Sequence, residues 1–278
     1  MPSAVHGPMP RTILPSCGLE TSRVGFGLSH LHHLILTSER RRLIEAAYEF
    51  GITHFDTAPM YGDGVAERSL ASFLRSRRSS VTVATKFGVL PTDWLARLGP
   101  ISYPLWAARG ALARRQLWRW PRHDYSAATM RASLERSLRQ LGTDYVDIFF
   151  VHDPPLDGSG LSDELCDALL AERSAGNARL IGIAGAAGIA HSRGIHADVF
   201  DVIQVPEAAW DGSGREPDVT FGVVSAVPKS HPDGGESRAQ VAVARALARR
   251  PRGVVLVGTR RIAHLEEIAM VALGPKVR

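Results

Sequence analysis

Four side chains suited to proton transfer fall at or just after the ends of three consecutive predicted strands. Asp56 ends the second strand, Lys86 the third and His152 the fourth, and Tyr61 lies in the loop that follows Asp56. Each residue alone is typical of a polar group that closes a strand. Their occurrence on neighbouring strands instead predicts a site for proton transfer coupled to hydride transfer.

The tyrosine needs the other groups, because a phenol with a pKa of about 10 is a poor acid at neutral pH. We expect the Lys86 ammonium to lower the pKa of Tyr61, and the Asp56 carboxylate to keep that ammonium charged and oriented. His152 would donate a hydrogen bond to a substrate carbonyl or share the proton relay. Almost every other cationic residue of this chain is an arginine, so a lysine at position 86 is unusual.

The elements that must position these residues alternate between short apolar strands and amphipathic helices. Strands are predicted at residues 23–27, 54–56, 81–86, 146–151, 180–184, 202–205, 220–224 and 254–257. Apolar residues recur at helical spacing over residues 41–50, 130–141, 237–249 and 261–273. Strands that alternate with helices along the whole chain predict an α/β fold, a closed (β/α)8 TIM barrel. An open dinucleotide-binding sheet is not favoured, because the third glycine of G-x-G-x-x-G is missing after Gly25 and Gly27.

Three segments depart from this alternation. Residues 12–21, with a turn at 16–18, predict an N-terminal β-hairpin that closes the bottom of the barrel. Residues 87–125 predict a long loop after the third strand, which we expect to cover the barrel mouth and to set substrate choice. Residues 206–219 contain glycine and proline and leave little room for a sixth helix.

Length and composition are those of a globular protein. The chain has 278 residues, of which 45% are hydrophobic, and predicts a single domain over residues 1–278 with a flexible N-terminus at residues 1–11. No apolar run is long enough for a membrane span, and the N-terminus lacks the pattern of a secretory signal. Cys17 and Cys166 are too few for a disulfide framework, so a cytoplasmic location is expected.

The positive charge is concentrated in one segment. The net charge is +5, and residues 91–125 contribute +4 of it through six arginines and two aspartates. A nucleic-acid partner is therefore not expected, whereas a small anionic substrate is favoured. His30, His32 and His33 follow the first strand, and they are interpreted as rim residues because no cysteine or carboxylate cluster accompanies them. No metal site is predicted.

Several segments resemble the aldo-keto reductase family. The most specific is at residues 51–62, which read GITHFDTAPMYG and continue through Glu67. The family's lysine and histidine strands are similar to residues 84–88 (ATKFG) and 138–153 (LRQLGTDYVDIFFVHD). Its first strand and its cofactor-phosphate segment are similar to residues 19–27 (LETSRVGFG), 257–261 (VGTRR) and 264–267 (HLEE).

The resemblance implies an oxidoreductase that uses NADPH or NADH to reduce an aldehyde or ketone, or to oxidise the alcohol. It implies that Tyr61 is the general acid/base, that Lys86 and Asp56 tune it, and that His152 places the carbonyl. The cofactor would lie across the barrel top, held by residues at the ends of the sixth and eighth strands: Gln204, Gly258, Thr259, Arg260, Arg261, His264 and Glu267.

The second half of the chain departs from the family pattern. The Ser-Asn pair that holds the nicotinamide amide is replaced by Ala184 and Gly185, and the aromatic ring expected after the seventh strand appears as Ala226. Trp210 is either a substitute for that ring or a packed loop residue. His264 stands where an arginine is usual in the phosphate segment. These departures concern cofactor binding and leave the catalytic set complete.

Two other functions stay open at the level of sequence. Loss of the amide-binding pair favours a barrel that binds nicotinamide nucleotide and reports redox state with little turnover. The tryptophans and arginines of residues 91–125 favour a docking surface for a protein or an anionic membrane. The oligomeric state and the identity of the substrate are not determined by the sequence.

Overall fold

A computed structural model describes residues 9–91, 122–186, 188–191, 194, 196–212, 215–227 and 237–274. The strands in this part of the chain are β1 Arg11–Ile13, β2 Glu20–Ser22, β3 Val24–Gly27, β4 His54–Asp56, β5 Thr82–Phe87, β6 Val146–His152, β7 Ala178–Ala184, β8 Val202–Pro206, β9 Val219–Phe221 and β10 Val254–Val257. The α-helices are α1 Thr37–Glu49, α2 Val65–Arg77, α3 Ala127–Leu141, α4 Asp163–Ser174, α5 Gly188–His191, α6 Arg238–Arg249 and α7 Ile262–Leu273. No helix among these is long and apolar enough to cross a membrane.

Strands β3 to β10 form a closed barrel of parallel strands. They follow one another around the cylinder in chain order, and β10 pairs with both β9 and β3, which closes it. Helices connect successive strands through most of the circuit, as expected for right-handed crossovers. The predicted (β/α)8 TIM barrel is confirmed.

Alternate residues of each strand face two different apolar cores. On β6, Ile148 and Phe150 belong to a cluster inside the barrel. Phe149 and Val151, which lie between and beyond them, belong to a larger cluster that also contains the apolar faces of the helices. Because both faces are covered, the strand reads as a continuous apolar run rather than as an alternating one.

Strands β1 and β2 form an antiparallel hairpin that closes the N-terminal end of the barrel, as predicted. Leu14, in its turn, joins the cluster inside the barrel. Thr12 Oγ1 accepts a hydrogen bond from the Gly253 N–H at 3.0 Å, and the Ser16 N–H donates to Asp218 Oδ1 at 2.9 Å. Since Gly253 and Asp218 immediately precede β10 and β9, the hairpin lies at the end opposite to the predicted site.

Predicted and observed boundaries differ at β9 and at the N-terminus. The sequence predicts a strand over residues 220–224, whereas β9 ends at Phe221 because Gly222 turns the chain with φ +70°. The following residues, Val223–Ala226, form a 3-10 helix. At the N-terminus, residues 1–8 of the predicted flexible segment lie outside the described residues, while Met9 is buried and Arg11 begins β1.

The two predicted irregular segments are described in part. Between residues 206 and 219, the described residues contain one 3-10 turn, Glu207–Ala209, and no α-helix, as predicted. Of the loop at 87–125, both ends are described and pair with each other, since the Leu90 N–H donates to the Arg122 carbonyl oxygen at 2.9 Å. Residues 92–121, which carry the predicted lid, lie outside the described residues.

We expect Asp218 to be a structural link between the hairpin and the barrel wall. Its Oδ1 accepts from the Ser16 N–H and its Oδ2 from the Ile203 N–H, each at 2.9 Å, and the side chain is fully buried. Asp218→Asn would replace one acceptor by an amide that faces an N–H donor. The free energy of unfolding should therefore fall by about 1–3 kcal/mol, measured by urea denaturation.

The matched control is Asp198→Asn, because Asp198 is an exposed carboxylate in a 3-10 turn. Its effect should stay within about 0.5 kcal/mol of wild type. If both variants unfold at the same urea concentration as the wild type, Asp218 is not the link described here.

Candidate active site

The four predicted catalytic residues line one cavity at the C-terminal end of the barrel. Asp56 ends β4, Lys86 lies next to the last residue of β5, His152 ends β6, and Tyr61 lies in the loop after β4. The cavity has a volume of about 490 Å³. Barrel enzymes carry their catalytic groups at this end, because the loops that follow the parallel strands meet there.

Asp56 and Lys86 form a buried ion pair. Lys86 Nζ contacts Asp56 Oδ1 and donates a hydrogen bond to the Thr57 carbonyl oxygen at 3.0 Å. The second carboxylate oxygen, Oδ2, accepts from Gln204 Nε2 at 3.0 Å. Burial lowers the pKa of Lys86 and the facing Asp56 carboxylate raises it. Both side chains are almost completely buried, so each charge depends on the other for its stability.

Tyr61 lies beside this ion pair. Lys86 Nζ is 5.2 Å from the centroid of the Tyr61 ring, and the His152 ring meets it edge-on with centroids 6.2 Å apart. Burial raises the pKa of Tyr61 well above its ordinary value, and Asp56 and Asp153 repel the phenolate further. The expectation of a lowered pKa for Tyr61 is therefore wrong, because burial is the largest cause of its shift and both carboxylates act in the same direction. Tyr61 is a neutral phenol that can donate a proton.

His152 is a neutral imidazole. Burial lowers its pKa well below the ordinary value, and the neighbouring Lys86 and His123 lower it further. The end of its strand is fixed by Tyr125, whose hydroxyl donates to the carbonyl oxygens of His152 at 2.9 Å and of Asp153 at 2.5 Å. A neutral imidazole held in this way can donate an N–H to a substrate oxygen.

Three residues that the sequence motifs do not single out also shape the site. Asp153 and Phe221 line the cavity, and Tyr125 positions the end of β6. The position of Asp153 directly after the catalytic histidine is a signal that could have identified it. Phe221 is missed because the predicted strand continues past it. In the structure Phe221 is the last residue of β9, and strand ends lie at the cavity. Tyr125 carries no local signal, since its contact depends on where the long loop returns.

Four of the predicted cofactor residues line the same cavity: Gln204, Gly258, Thr259 and His264. Gln204 Oε1 is buried and has no hydrogen-bond partner among the residues that the structure describes. Thr259 Oγ1 accepts from the Arg261 N–H at 3.2 Å and lies 3.1 Å from His264 Nδ1. These contacts fix the turn between β10 and α7.

The other three, Arg260, Arg261 and Glu267, are not among the described residues that line the cavity. Both arginines are exposed and immediately precede α7. A helix N-terminus flanked by cations is a favourable place for a phosphate group. Glu267 instead accepts a hydrogen bond from Ser237 Oγ at 3.1 Å, and Ser237 caps the N-terminus of α6. Its observed contact thus joins two helices.

Residues 23–205 match the sequence model of the aldo/keto reductase family. This chain belongs to that family. It is 29% identical over 197 residues to D-threo-aldose 1-dehydrogenase of Pseudomonas sp., which covers 68% of this chain and 58% of that protein. It is 30% identical over 179 residues to L-galactose dehydrogenase of Arabidopsis thaliana, covering 62% and 47% respectively. The chain spans about half the length of the curated relatives it matches.

Solved aldo-keto reductase structures share the fold over almost the whole chain. The aldo-keto reductase AKR11C1 from Bacillus halodurans, in its holo form, matches with a TM-score of 0.71 at 20% identity, covering 96% of this chain and 92% of that one. The glycerol dehydrogenase AKR11B4 from Gluconobacter oxydans matches with a TM-score of 0.65 at 18% identity, covering 94% and 89%. At these identities the likeness shows the fold alone.

The aromatic ring at the cavity differs from Trp210, the candidate that the sequence offered. Trp210 is buried in a loop, where the Arg249 guanidinium lies 4.7 Å from its ring centroid. Trp210 is thus a packed loop residue, and neither it nor Ala226 is among the described residues that line the cavity. Phe221 lines it instead.

Removing one partner of the buried ion pair should lower the free energy of unfolding strongly. Lys86→Met should lower the free energy of unfolding by roughly 3–5 kcal/mol, because Asp56 would remain as a buried and uncompensated carboxylate. The double variant Lys86→Met/Asp56→Leu should recover a large part of that loss. Chemical denaturation of both variants measures the difference.

A matched control is Arg139→Met, which breaks an exposed ion pair with Glu135 on α3. Its cost should be below about 1 kcal/mol. A cost for Lys86→Met no larger than for Arg139→Met would show that the Asp56–Lys86 contact is not the strong interaction inferred here.

Proposed function

We propose that this protein is an NAD(P)H-dependent oxidoreductase that interconverts a small aldehyde or ketone and the corresponding alcohol, with Tyr61 as general acid/base. The supporting observation is the convergence of Tyr61, Lys86, Asp56 and His152 on one cavity at the C-terminal end of the barrel. Membership of the aldo/keto reductase family supports carbonyl oxidoreductase chemistry, and several relatives are named as dehydrogenases or reductases.

The opposite side of the cavity fits a nicotinamide nucleotide. Gln204 Oε1 is a buried acceptor whose partner is missing among the described residues, which suits it to a carboxamide N–H. A Cβ at Gly258 would lie only 3.3 Å from the Gly27 carbonyl oxygen and 3.4 Å from His30 Nδ1, so a side chain there would crowd both atoms. The bound nucleotide would supply or accept the hydride.

The protein's own groups handle the proton. The neutral phenol of Tyr61 donates its proton to the carbonyl oxygen as negative charge develops there, and the neutral His152 donates an N–H to the same oxygen. Lys86 stabilises the phenolate left behind, and Asp56 holds the ammonium in place. In the oxidative direction the phenolate must accept the alcohol proton. Because the pKa of Tyr61 is raised, that direction should gain rate as the pH increases.

We infer that the substrate is a small carbonyl compound and compare two classes. The names of the relatives D-threo-aldose 1-dehydrogenase and L-galactose dehydrogenase favour hydroxylated substrates such as aldoses. The arginines of residues 91–125 favour an anionic compound. A panel that pairs neutral aldoses with their phosphorylated or carboxylated counterparts separates the two classes by kcat/KM.

Tyr61→Phe should lower kcat on a good substrate by about 10²–10⁴-fold, because the proton donor is removed. The Kd for NADPH should stay within about threefold of wild type, since only an interaction of the transition state is lost. Steady-state kinetics and fluorescence titration measure the two quantities.

The matched control is Tyr48→Phe, which removes a phenol hydroxyl on α1 that packs against Phe73 rather than at the cavity. Wild-type activity in Tyr61→Phe would exclude the acid/base assignment. A wild-type protein that binds NADPH tightly but turns over no member of the panel would favour the redox-reporting alternative.

We expect NADPH to bind more tightly than NADH, because Arg260 and Arg261 can meet a 2′-phosphate at the N-terminus of α7. The preference should be modest, since exposed ion pairs contribute about 0.2–1 kcal/mol, or up to about fivefold in Kd per arginine. Arg260→Ala and Arg261→Ala should each weaken NADPH binding without changing the Kd for NADH.

The control is Arg252→Ala, an exposed arginine at the other end of β10. Equal Kd values for NADPH and NADH in the wild type, unchanged in both test variants, would refute the preference.

A further inference from the structure

Asp153 is held in a fixed position at the wall of the cavity. It follows the last residue of β6 and adopts a φ of +48°, a left-handed conformation that is uncommon for a residue with a side chain. Its N–H donates to the Ala184 carbonyl oxygen at 2.7 Å, and its own carbonyl oxygen accepts from Tyr125 Oη at 2.5 Å. Contacts on both sides therefore fix the backbone of Asp153.

The carboxylate of Asp153 occupies the space of a missing side chain. A Cβ built on Gly185 would lie only 2.3 Å from Asp153 Oδ1. Gly185 lines the cavity and stands where the family pattern has the asparagine of its amide-binding pair. A negatively charged group is thus found where a neutral amide is usual.

Asp153 also determines the net charge of the cavity wall. Among the described lining residues, the aspartate, glutamate, lysine and arginine side chains are Asp56, Lys86 and Asp153. The charges of Asp56 and Lys86 cancel within their ion pair. His152 Nε2 lies 3.7 Å from Asp153 Oδ2, and that imidazole is neutral because its pKa is lowered well below its ordinary value.

Among the described residues, Lys86 and His123 favour the charged form of Asp153, but Lys86 is already paired with Asp56. Burial raises the pKa of Asp153 above its ordinary value, which means that the surroundings disfavour the charged form. The side chain is nevertheless 56% exposed, so water also solvates its charged form. A cation bound in the cavity would be stabilised by this charge.

We propose that Asp153 makes the site bind the oxidised, positively charged nicotinamide nucleotide more tightly, relative to the neutral reduced ring, than a neutral residue would. This inference rests on the proposed function. The oxidised ring carries one positive charge that the reduced ring lacks, so the carboxylate acts on one form and leaves the other almost unaffected. Asp153 thereby shifts the equilibrium between the bound states toward the oxidised nucleotide and the alcohol, and it is a positioning and electrostatic residue rather than a proton donor.

The test compares the dissociation constants of NADP⁺ and NADPH, measured by fluorescence titration at low ionic strength. Asp153→Asn removes the charge and keeps the shape, and asparagine tolerates the left-handed backbone. The ratio of Kd for NADP⁺ to Kd for NADPH should rise by about threefold to tenfold, from the Coulomb energy of one charge pair at partly solvated separation. Asp153→Gly, which also tolerates a positive φ, should raise the ratio similarly and serves if the first variant is unstable.

The matched control is Asp157→Asn, an exposed carboxylate in the same loop that is outside the described cavity lining. It should leave the ratio unchanged. An unchanged ratio in both Asp153 variants, or an equal rise in Asp157→Asn, overturns this inference and leaves the proposed function standing. A wild-type protein that binds neither nucleotide overturns the proposed function and this inference together.

Discussion

The buried ion pair between Asp56 and Lys86 is the constraint on which the rest of the site depends. An ammonium and a carboxylate that are almost completely removed from water are stable only when they face each other and their remaining hydrogen-bonding positions are filled. Here the Thr57 carbonyl oxygen accepts a hydrogen bond from the Lys86 ammonium, and Gln204 donates a hydrogen bond to the second carboxylate oxygen of Asp56. The pair therefore joins β4, β5 and β8 across the top of the barrel, and the position of each of those strands is tied to it.

The barrel provides this geometry because of its strand register. Asp56 lies opposite Ala84, and Lys86 lies two residues further along β5, so that both side chains extend above the same layer of the interior. Below them the interior is filled with apolar side chains, among them Ile148 and Phe150, and the hairpin residue Leu14 closes the other end. These apolar side chains exclude water from below. In the described part of the chain, the ion pair therefore faces solvent only through the cavity. This arrangement explains why burial, rather than a specific partner, is the first cause of the pKa shifts of Tyr61, Lys86 and His152.

The sequence was sufficient to predict the architecture and the meeting of the four candidate catalytic residues at one end of the barrel, because both depend on local patterns. Apolar runs mark strands buried on both faces, and a polar residue at the end of such a run must lie at the rim of the barrel. The same reasoning failed at Phe221, because the apolar residues of a 3-10 helix continue the pattern of β9 past its true end. It also failed for the pKa of Tyr61, because burial raises that pKa and the local sequence does not show how deeply the phenol is buried.

Other features could not be predicted from local pattern at all. The contact of Tyr125 with the end of β6 requires knowledge of where the chain returns after the long loop. The relation between Asp153 and Gly185 is a contact between the ends of two adjacent strands, and neither residue is unusual by itself. Only their separation in space shows that one side chain fills the place of the other. The roles assigned to the cofactor residues stay predictions, although Gln204, Thr259 and His264 line the same cavity as the catalytic set.

The electrostatics of the cavity act on the proton and on the hydride in opposite directions. A raised pKa keeps Tyr61 protonated, which suits it to donate a proton during reduction. A carboxylate at the wall favours a positively charged ring, which is the product of reduction and the reactant for oxidation. A catalyst cannot change the equilibrium between free reactants, so these two effects redistribute only the bound states. Under the proposed function and the inference on Asp153, the raised pKa stabilises the acid that reduction consumes, and the carboxylate stabilises the oxidised ring that reduction produces. Under the proposed function, the direction of turnover would then be decided by pH and by the ratio of free nucleotides rather than by the site itself.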